Sequence, residues 1–206
     1  MIGALDVVKL TGEFLNMSYP VSFEMDYVAR RSRVTTFFRY FCVLPQLVFA
    51  LFYSVAFYVV WIISWFVLVF TGRWPESLYN FTGGFLRYIT RVTAYFYLGV
   101  DQYPPFSGAD DDGYPVRVHI APPLPKYSRL KVFFRMIYAI LAMVIRYAMS
   151  IIIGFVALLS WIAIVITGRQ PESLQNALKF ALAYTTRADA LLFLLTETYP
   201  PFDTES

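Results

Sequence analysis

The sequence predicts an all-α integral membrane protein built from two tandem repeats. Each repeat is expected to hold an elbow helix, a long spanning helix and an amphipathic helix, with short β-strands at the membrane surface. Three observations predict this class. The first is an internal duplication. Ser32-Arg33, Phe37-Phe38-Arg39, Thr71-Gly72-Arg73, Pro75-Glu76-Ser77-Leu78, Thr90-Arg91 and Tyr103-Pro104-Pro105-Phe106 return in the same order and spacing as Ser128-Arg129, Phe133-Phe134-Arg135, Thr167-Gly168-Arg169, Pro171-Glu172-Ser173-Leu174, Thr186-Arg187 and Tyr199-Pro200-Pro201-Phe202. The second is a charge-free apolar stretch in each copy, Val43 to Phe70 and Tyr147 to Ile166. A helix needs about 20 such residues to cross a hydrocarbon core of about 30 Å. The third is a short alternating segment ahead of each copy, Tyr19 to Tyr27 and Tyr114 to Ile120. The organisation that follows is an N-terminal segment over 1–18, repeat 1 over 19–106, a linker over 107–113, repeat 2 over 114–202 and a tail over 203–206.

Composition points the same way. Of 206 residues, 58% are hydrophobic, above the roughly 45–50% apolar share of a soluble domain. The net charge is only +3, yet the basic residues gather beside the apolar blocks. Arg30, Arg31, Arg33 and Arg39 precede the first, and Lys126, Arg129, Lys131 and Arg135 precede the second. That placement suits anionic lipid headgroups. A nucleic-acid partner would call for a basic face without the apolar blocks. With one cysteine, Cys42, and one histidine, His119, the chain has no intrachain disulfide and no Cys/His cluster for a zinc or haem site. No cofactor and no metal are expected. Met1 to Ser18 lacks a basic n-region and is interrupted by Asp6, so it does not read as a cleaved signal peptide.

Taken in order, the elements have identifiable causes. Val21, Phe23, Met25 and Tyr27 alternate with Ser22, Glu24 and Asp26, and Val116, Val118 and Ile120 alternate with Arg117 and His119. A period of two gives strands with one buried face. Two strands alone are marginal, so they are expected to pair or to rest on helices, with Glu24 and Asp26 facing Arg117. The amphipathic stretch from Arg33 to Leu44 reads as an elbow helix that Pro45 breaks, followed by a span from about Gln46 to Phe70. In the second copy Leu141 replaces Pro45, and the helix is expected to run on with less kink. Gly72 and Gly168 suit left-handed helix caps, and Pro75 and Pro171 suit the first turn of a new helix. The octet Thr-Gly-Arg-x-Pro-Glu-Ser-Leu is therefore a helix–turn–helix corner. The helix after each corner is amphipathic and lies in the interface or returns across the membrane. Tyr-Pro-Pro-Phe stops it. Matching basic residues in both copies favour one orientation for both, hence an even number of crossings per copy and four in all. An inverted two-span arrangement is the alternative.

Few residues stand out as sites. Arg73 and Arg169, at the corners, are candidates for lipid phosphate. Arg91 and Arg187 recur in helices at or within the membrane and are candidates for contact with lipid or a partner. Arg146 stands where the first copy has Ala50, and a charge near the bilayer centre costs about 2.5–3.5 kcal/mol on insertion scales unless it finds a partner. Asp110-Asp111-Asp112-Gly113 lacks the spacing and closing Glu of a calcium loop and reads as solvated linker. His119 has no surrounding constellation for catalysis.

Tyr19-Pro20-Val21, Phe37-Phe38-Arg39, Leu44-Pro45, Thr71-Gly72-Arg73 with Pro75, Leu86-Arg87 with Arg91-Val92 and Ala94-Tyr95, and Tyr103-Pro104-Pro105-Phe106 together resemble an uncharacterised bacterial membrane family, a domain of unknown function common in actinobacteria and often present in tandem. The family often has Pro-His where this chain has Pro45-Gln46. The resemblance implies a membrane location and carries over no catalytic residue. The reading that follows is a non-enzymatic accessory or scaffold protein in the bacterial plasma membrane, multi-pass, binding anionic lipid or another membrane protein. The alternative is a small transporter or channel, with Arg146 as the feature in its favour.

Overall fold

The computed structural model describes residues 19–202. The expected N-terminal segment, with its reading against a signal peptide, and the expected tail lie outside the described residues. In chain order the elements are β1 (Val21–Met25), α1 (Arg33–Phe37), α2 (Arg39–Cys42), α3 (Leu44–Thr71), α4 (Glu76–Phe96), β2 (Val116–Ile120), α5 (Arg129–Phe133), α6 (Arg135–Tyr138), α7 (Ile140–Thr167) and α8 (Glu172–Leu192). The protein is mostly helical, with two tandem repeats and a two-stranded sheet.

The elbows correct the expectation about proline. Pro45 sits inside the first turn of α3, where a missing N–H costs nothing. The chain bends earlier, at Phe38 (φ −91°, ψ 9°). The second copy has no proline there, yet it bends at the matching residue, Phe134 (φ −89°, ψ 18°). What the copies share is the next residue. Arg39 and Arg135 turn inward and are 2% and 1% exposed, and the bend allows α1 and α5 to turn away from the helix that follows. Ser32 and Ser128 cap α1 and α5 with their side-chain oxygens. The corner glycines match the sequence reading, whereas Pro75 and Pro171 stand one residue earlier than expected, as extended N-caps of α4 and α8. Gly72 (φ 69°) and Gly168 (φ 74°) hold the left-handed cap positions, which a side chain disfavours.

The two copies interlock. β1 and β2 pair antiparallel, with Phe23 opposite Val118 and Glu24 opposite Arg117. β1, which leads the first copy, packs on α8 of the second, and β2 packs on α4 of the first. The elbows exchange in the same way, α1 onto α7 and α5 onto α3. Tyr127 N–H donates to the carbonyl of Gly72 at 2.8 Å, and its counterpart Arg31 donates to Gly168 at 3.0 Å. Each long helix thus ends where the other copy's elbow begins, and α3 and α7 run in opposite senses. So do α4 and α8, where Phe85 meets Phe193 at 5.8 Å between ring centroids and the hydroxyls of Thr90 and Thr186 lie 3.4 Å apart. A pseudo-two-fold axis passes through the sheet and through the Thr90–Thr186 contact.

Three layers result. The sheet covers one side of α4 and α8, and α3 and α7 cover the other. The middle helices supply the largest share of the core, including Leu86, Tyr88, Leu178 and Leu182. The outer helices are different. α3 and α7 are 28 residues each, about 42 Å at 1.5 Å per residue. Among the described residues these two are long and apolar enough to cross a membrane. Only 17% of the most apolar part of α3 and 33% of that of α7 is buried within the protein. Their outward faces, and those of the elbows, expose Phe41, Phe52, Phe70, Leu130, Tyr147 and Ile166 among many others.

Candidate functional site

The largest fully buried side chains are four arginines, two from each copy at matching positions: Arg39, Arg91, Arg135 and Arg187. Such groups need partners, because an unpaired buried charge is expensive. Arg39 donates from Nη1 to the carbonyls of Tyr95 and Val100, both at 2.6 Å. It also pairs with Asp101, and its guanidinium lies 4.4 Å from the centroid of the Tyr95 ring. Arg91 donates to the carbonyl of Ala109 at 2.8 Å and lies over the Tyr114 ring. Arg187 lies over the ring of Tyr19, whose hydroxyl donates to the Arg187 carbonyl at 3.2 Å. Each arginine of the middle layer is therefore stacked on the tyrosine that starts the strand crossing it.

Arg135 departs from its counterpart. The second copy places Glu197 where the first has Asp101, and that carboxylate accepts from the Ser128 N–H at 2.6 Å. Arg135 makes no hydrogen bond from its three nitrogens to the other described residues. Burial pulls its guanidinium below the ordinary arginine value, and Glu197 opposes that shift. The same region differs at Gln46. In the first copy this buried residue donates to the Pro104 carbonyl at 2.5 Å and accepts from the Tyr88 hydroxyl at 2.8 Å. In the second copy Ala142 takes its place, and the hydroxyls of Tyr184 and Tyr199 have no partner among the described residues.

At the centre of the helical layers lies a small polar cavity of about 90 Å³, lined by Thr90, Thr93, Arg146, Ser150, Thr186 and Asp189 with apolar neighbours. Arg146 meets the Asp189 carboxylate with both Nε, at 2.5 Å, and Nη2, at 3.2 Å. That bidentate fork is the strong arginine–carboxylate geometry. The copies differ here too, since the matching positions hold Ala50 and Thr93.

On the outer face of the sheet, Arg117 bonds Glu24 at 3.1 Å and Asp26 at 2.7 Å. Its hydrogen bond holds the Asp26 carboxyl below the usual range. Asp110, Asp112 and His119 offer three ligand atoms within 4.8 Å of one another. Arg87 lies 3.6 Å from Asp110, a positive charge that opposes a bound cation. Arg73 and Arg169 are exposed at the two corners.

A domain of unknown function, DUF4389, matches residues 33–108 and again residues 129–203. The chain belongs to this family. Both DUF4389 copies exclude the strand that precedes them, although that strand packs on the opposite copy. Neither a curated protein nor a solved structure matches the chain.

Of the residues singled out from sequence, the fold brings Arg91 and Arg187 into the middle layer, beside the Thr90–Thr186 contact, and gives Arg146 an acidic partner. Arg73 and Arg169 stay apart, one at each corner. Sequence reasoning missed the clamps made by Arg39 with Asp101 and by Tyr19 and Tyr114. A signal was present, because an arginine, an acid and a tyrosine recur at matched places in both copies.

Proposed function

We propose that this protein is a non-enzymatic membrane scaffold that lies flat on one face of the bilayer. α3, α7 and the elbows dip into one leaflet, and the sheet faces water. The carrying observation is the segregation of the surface. The outer helices expose an apolar face along their whole length, far larger than the few hundred Å² usual for a soluble monomer. The opposite side carries Glu24, Asp26 and Arg117. If α3 and α7 crossed the bilayer, this sheet would lie beside the middle of the span. Its open edges would then sit at a depth where unpaired backbone groups have no water. Lying flat also keeps the basic residues of both copies on one side, as the positive-inside bias requires. Four crossings are not needed to achieve this.

In this reading Arg73 and Arg169 reach anionic headgroups at the two corners, and the water-facing sheet is left to hold a partner membrane protein. The bacterial plasma membrane is the setting that the family resemblance implies. A second reading, a small transporter, is favoured by one observation, the Arg146–Asp189 pair beside a polar cavity. Reconstitution separates the two. A scaffold gives liposomes no solute or ion flux above that of empty vesicles. Flux that Arg146→Ala abolishes would replace the scaffold with a transporter.

A further inference from the structure

We infer that the protein holds one anionic phospholipid, with an acyl chain in the groove between α7 and the α1–α2 elbow. This rests on the membrane reading above and adds a specific site to it. The groove encloses about 500 Å³, within the roughly 300–1,000 Å³ of small-ligand pockets. Its floor is Gly154 and Ala157, and its walls include Tyr40, Phe96 and Leu158. No carboxylate lines it. Tyr40 and Leu158 belong to the exposed apolar face, so the groove opens where lipid chains would lie.

The pseudo-symmetry shows why the groove is open. At the matching place in the other half, Tyr58 and Trp61 stand where Gly154 and Ala157 stand here. Trp61 narrows that space, leaving an apolar cavity of about 200 Å³ beside Tyr58, Trp61 and Leu192, and donates to the Leu192 carbonyl at 3.0 Å. A Cβ added at Gly154 would meet nothing within 4 Å. The duplicated fold therefore accepts large residues at this place, and this half lacks them.

Unpartnered polar groups lie beneath the groove. The Trp161 N–H, the Thr36 hydroxyl and the Arg39 Nε have no partner among the described residues, and Thr36 and Arg39 are almost fully buried. In the other half Trp65 donates to the Val132 carbonyl at 3.2 Å, whereas Trp161 finds no such acceptor. Past Trp161, α7 ends at Gly168, where Arg33 lies over the corner and Arg169 is exposed. The phosphate belongs at that basic corner, and the chain runs from Trp161 toward Gly154.

The test is native mass spectrometry of the full-length protein, stripped of lipid in detergent and then offered dioleoyl phosphatidylglycerol. The expected result is one phosphatidylglycerol retained under activation that removes all others. The variant Gly154→Tyr/Ala157→Trp, which copies the narrower half, should cut that occupancy at least tenfold while leaving the thermal midpoint unchanged. Gly154→Leu, a smaller obstruction of the same groove, should lower occupancy a few-fold and serves if the first variant misfolds. Equal retention by wild type and both variants, no retained lipid, or a variant that changes oligomeric state instead of lipid content would overturn the proposal. Flotation with phosphatidylglycerol vesicles runs alongside. Protein that floats but retains no lipid loses only the groove assignment, and protein that does not float loses the membrane reading itself.

Discussion

Replacing Arg146 with alanine should destabilise the protein, and replacing Arg146 and Asp189 together should not. Asp189 is 15% exposed and Arg146 is 41% exposed. Removing one partner of a buried ion pair costs about 3–5 kcal/mol because the other charge is stranded. Arg146 is partly open, which screens the pair, so the expected loss is about 2–3 kcal/mol. For a protein of this length each kcal/mol moves the thermal midpoint by about 2–4 °C, giving a fall of roughly 4–12 °C. The double variant Arg146→Ala/Asp189→Thr installs what the matching positions already hold, Ala50 and Thr93. The other copy packs without a charge pair there, so the double variant should lie within about 1 kcal/mol of wild type. The assay is thermal unfolding in a mild detergent, run as a double-mutant cycle. Equal, additive losses in the two single variants and their combination would refute the reasoning. So would a single Arg146→Ala variant as stable as wild type.

Three further outcomes are expected. Asp26 titrates below its unfolded value because Arg117 bonds it. Its stabilisation is therefore full above about pH 4, the unfolded carboxylate range, and is lost as pH falls through the lower folded value. Asp26 is half exposed, so the loss is under about 1 kcal/mol, and Asp26→Asn should remove that part of the acid dependence of the unfolding midpoint. Gln46→Ala takes away the donor to the Pro104 carbonyl and one acceptor of the Tyr88 hydroxyl; chemical unfolding should report a loss of about 1–3 kcal/mol. Arg73→Gln/Arg169→Gln should weaken sedimentation with anionic vesicles by about 1 kcal/mol per arginine, less at high salt, with the unfolding midpoint unchanged; vesicle binding equal to wild type at low salt would remove the headgroup role.

Much of the secondary structure was legible because its causes are local. The glycine caps and the period-two strands act within a few residues, and the charge-free stretches and the duplication are read directly along the chain. Even the facing of Glu24 and Asp26 with Arg117 followed from alternation once the strands paired. The elbow misled because proline is a strong local signal. Here it occupies a first turn, and the bend at Phe38 and Phe134 accompanies an inward arginine in each copy, of which Arg39 finds its partners far along the chain. The exchange between copies was not legible for the same kind of reason. Nothing near Val21 in sequence says that its strand rests on α8. Within the candidate site, Arg146 was visible as an apolar-block charge, but its match with Asp189 depends on the antiparallel packing of α7 on α8. The groove at Gly154 is visible only after the two halves are overlaid in space.

The most direct test of the flat arrangement is site-specific labelling with a membrane-impermeant maleimide. In a Cys42→Ser background, single cysteines replace Arg73, Arg169 and Asp112, and intact vesicles of known orientation are labelled from each side. The account predicts that all three react from the same side and none from the other. Two inverted spans would place Arg73 and Arg169 on opposite sides. Four crossings would place both of them opposite Asp112, and either result would contradict the account.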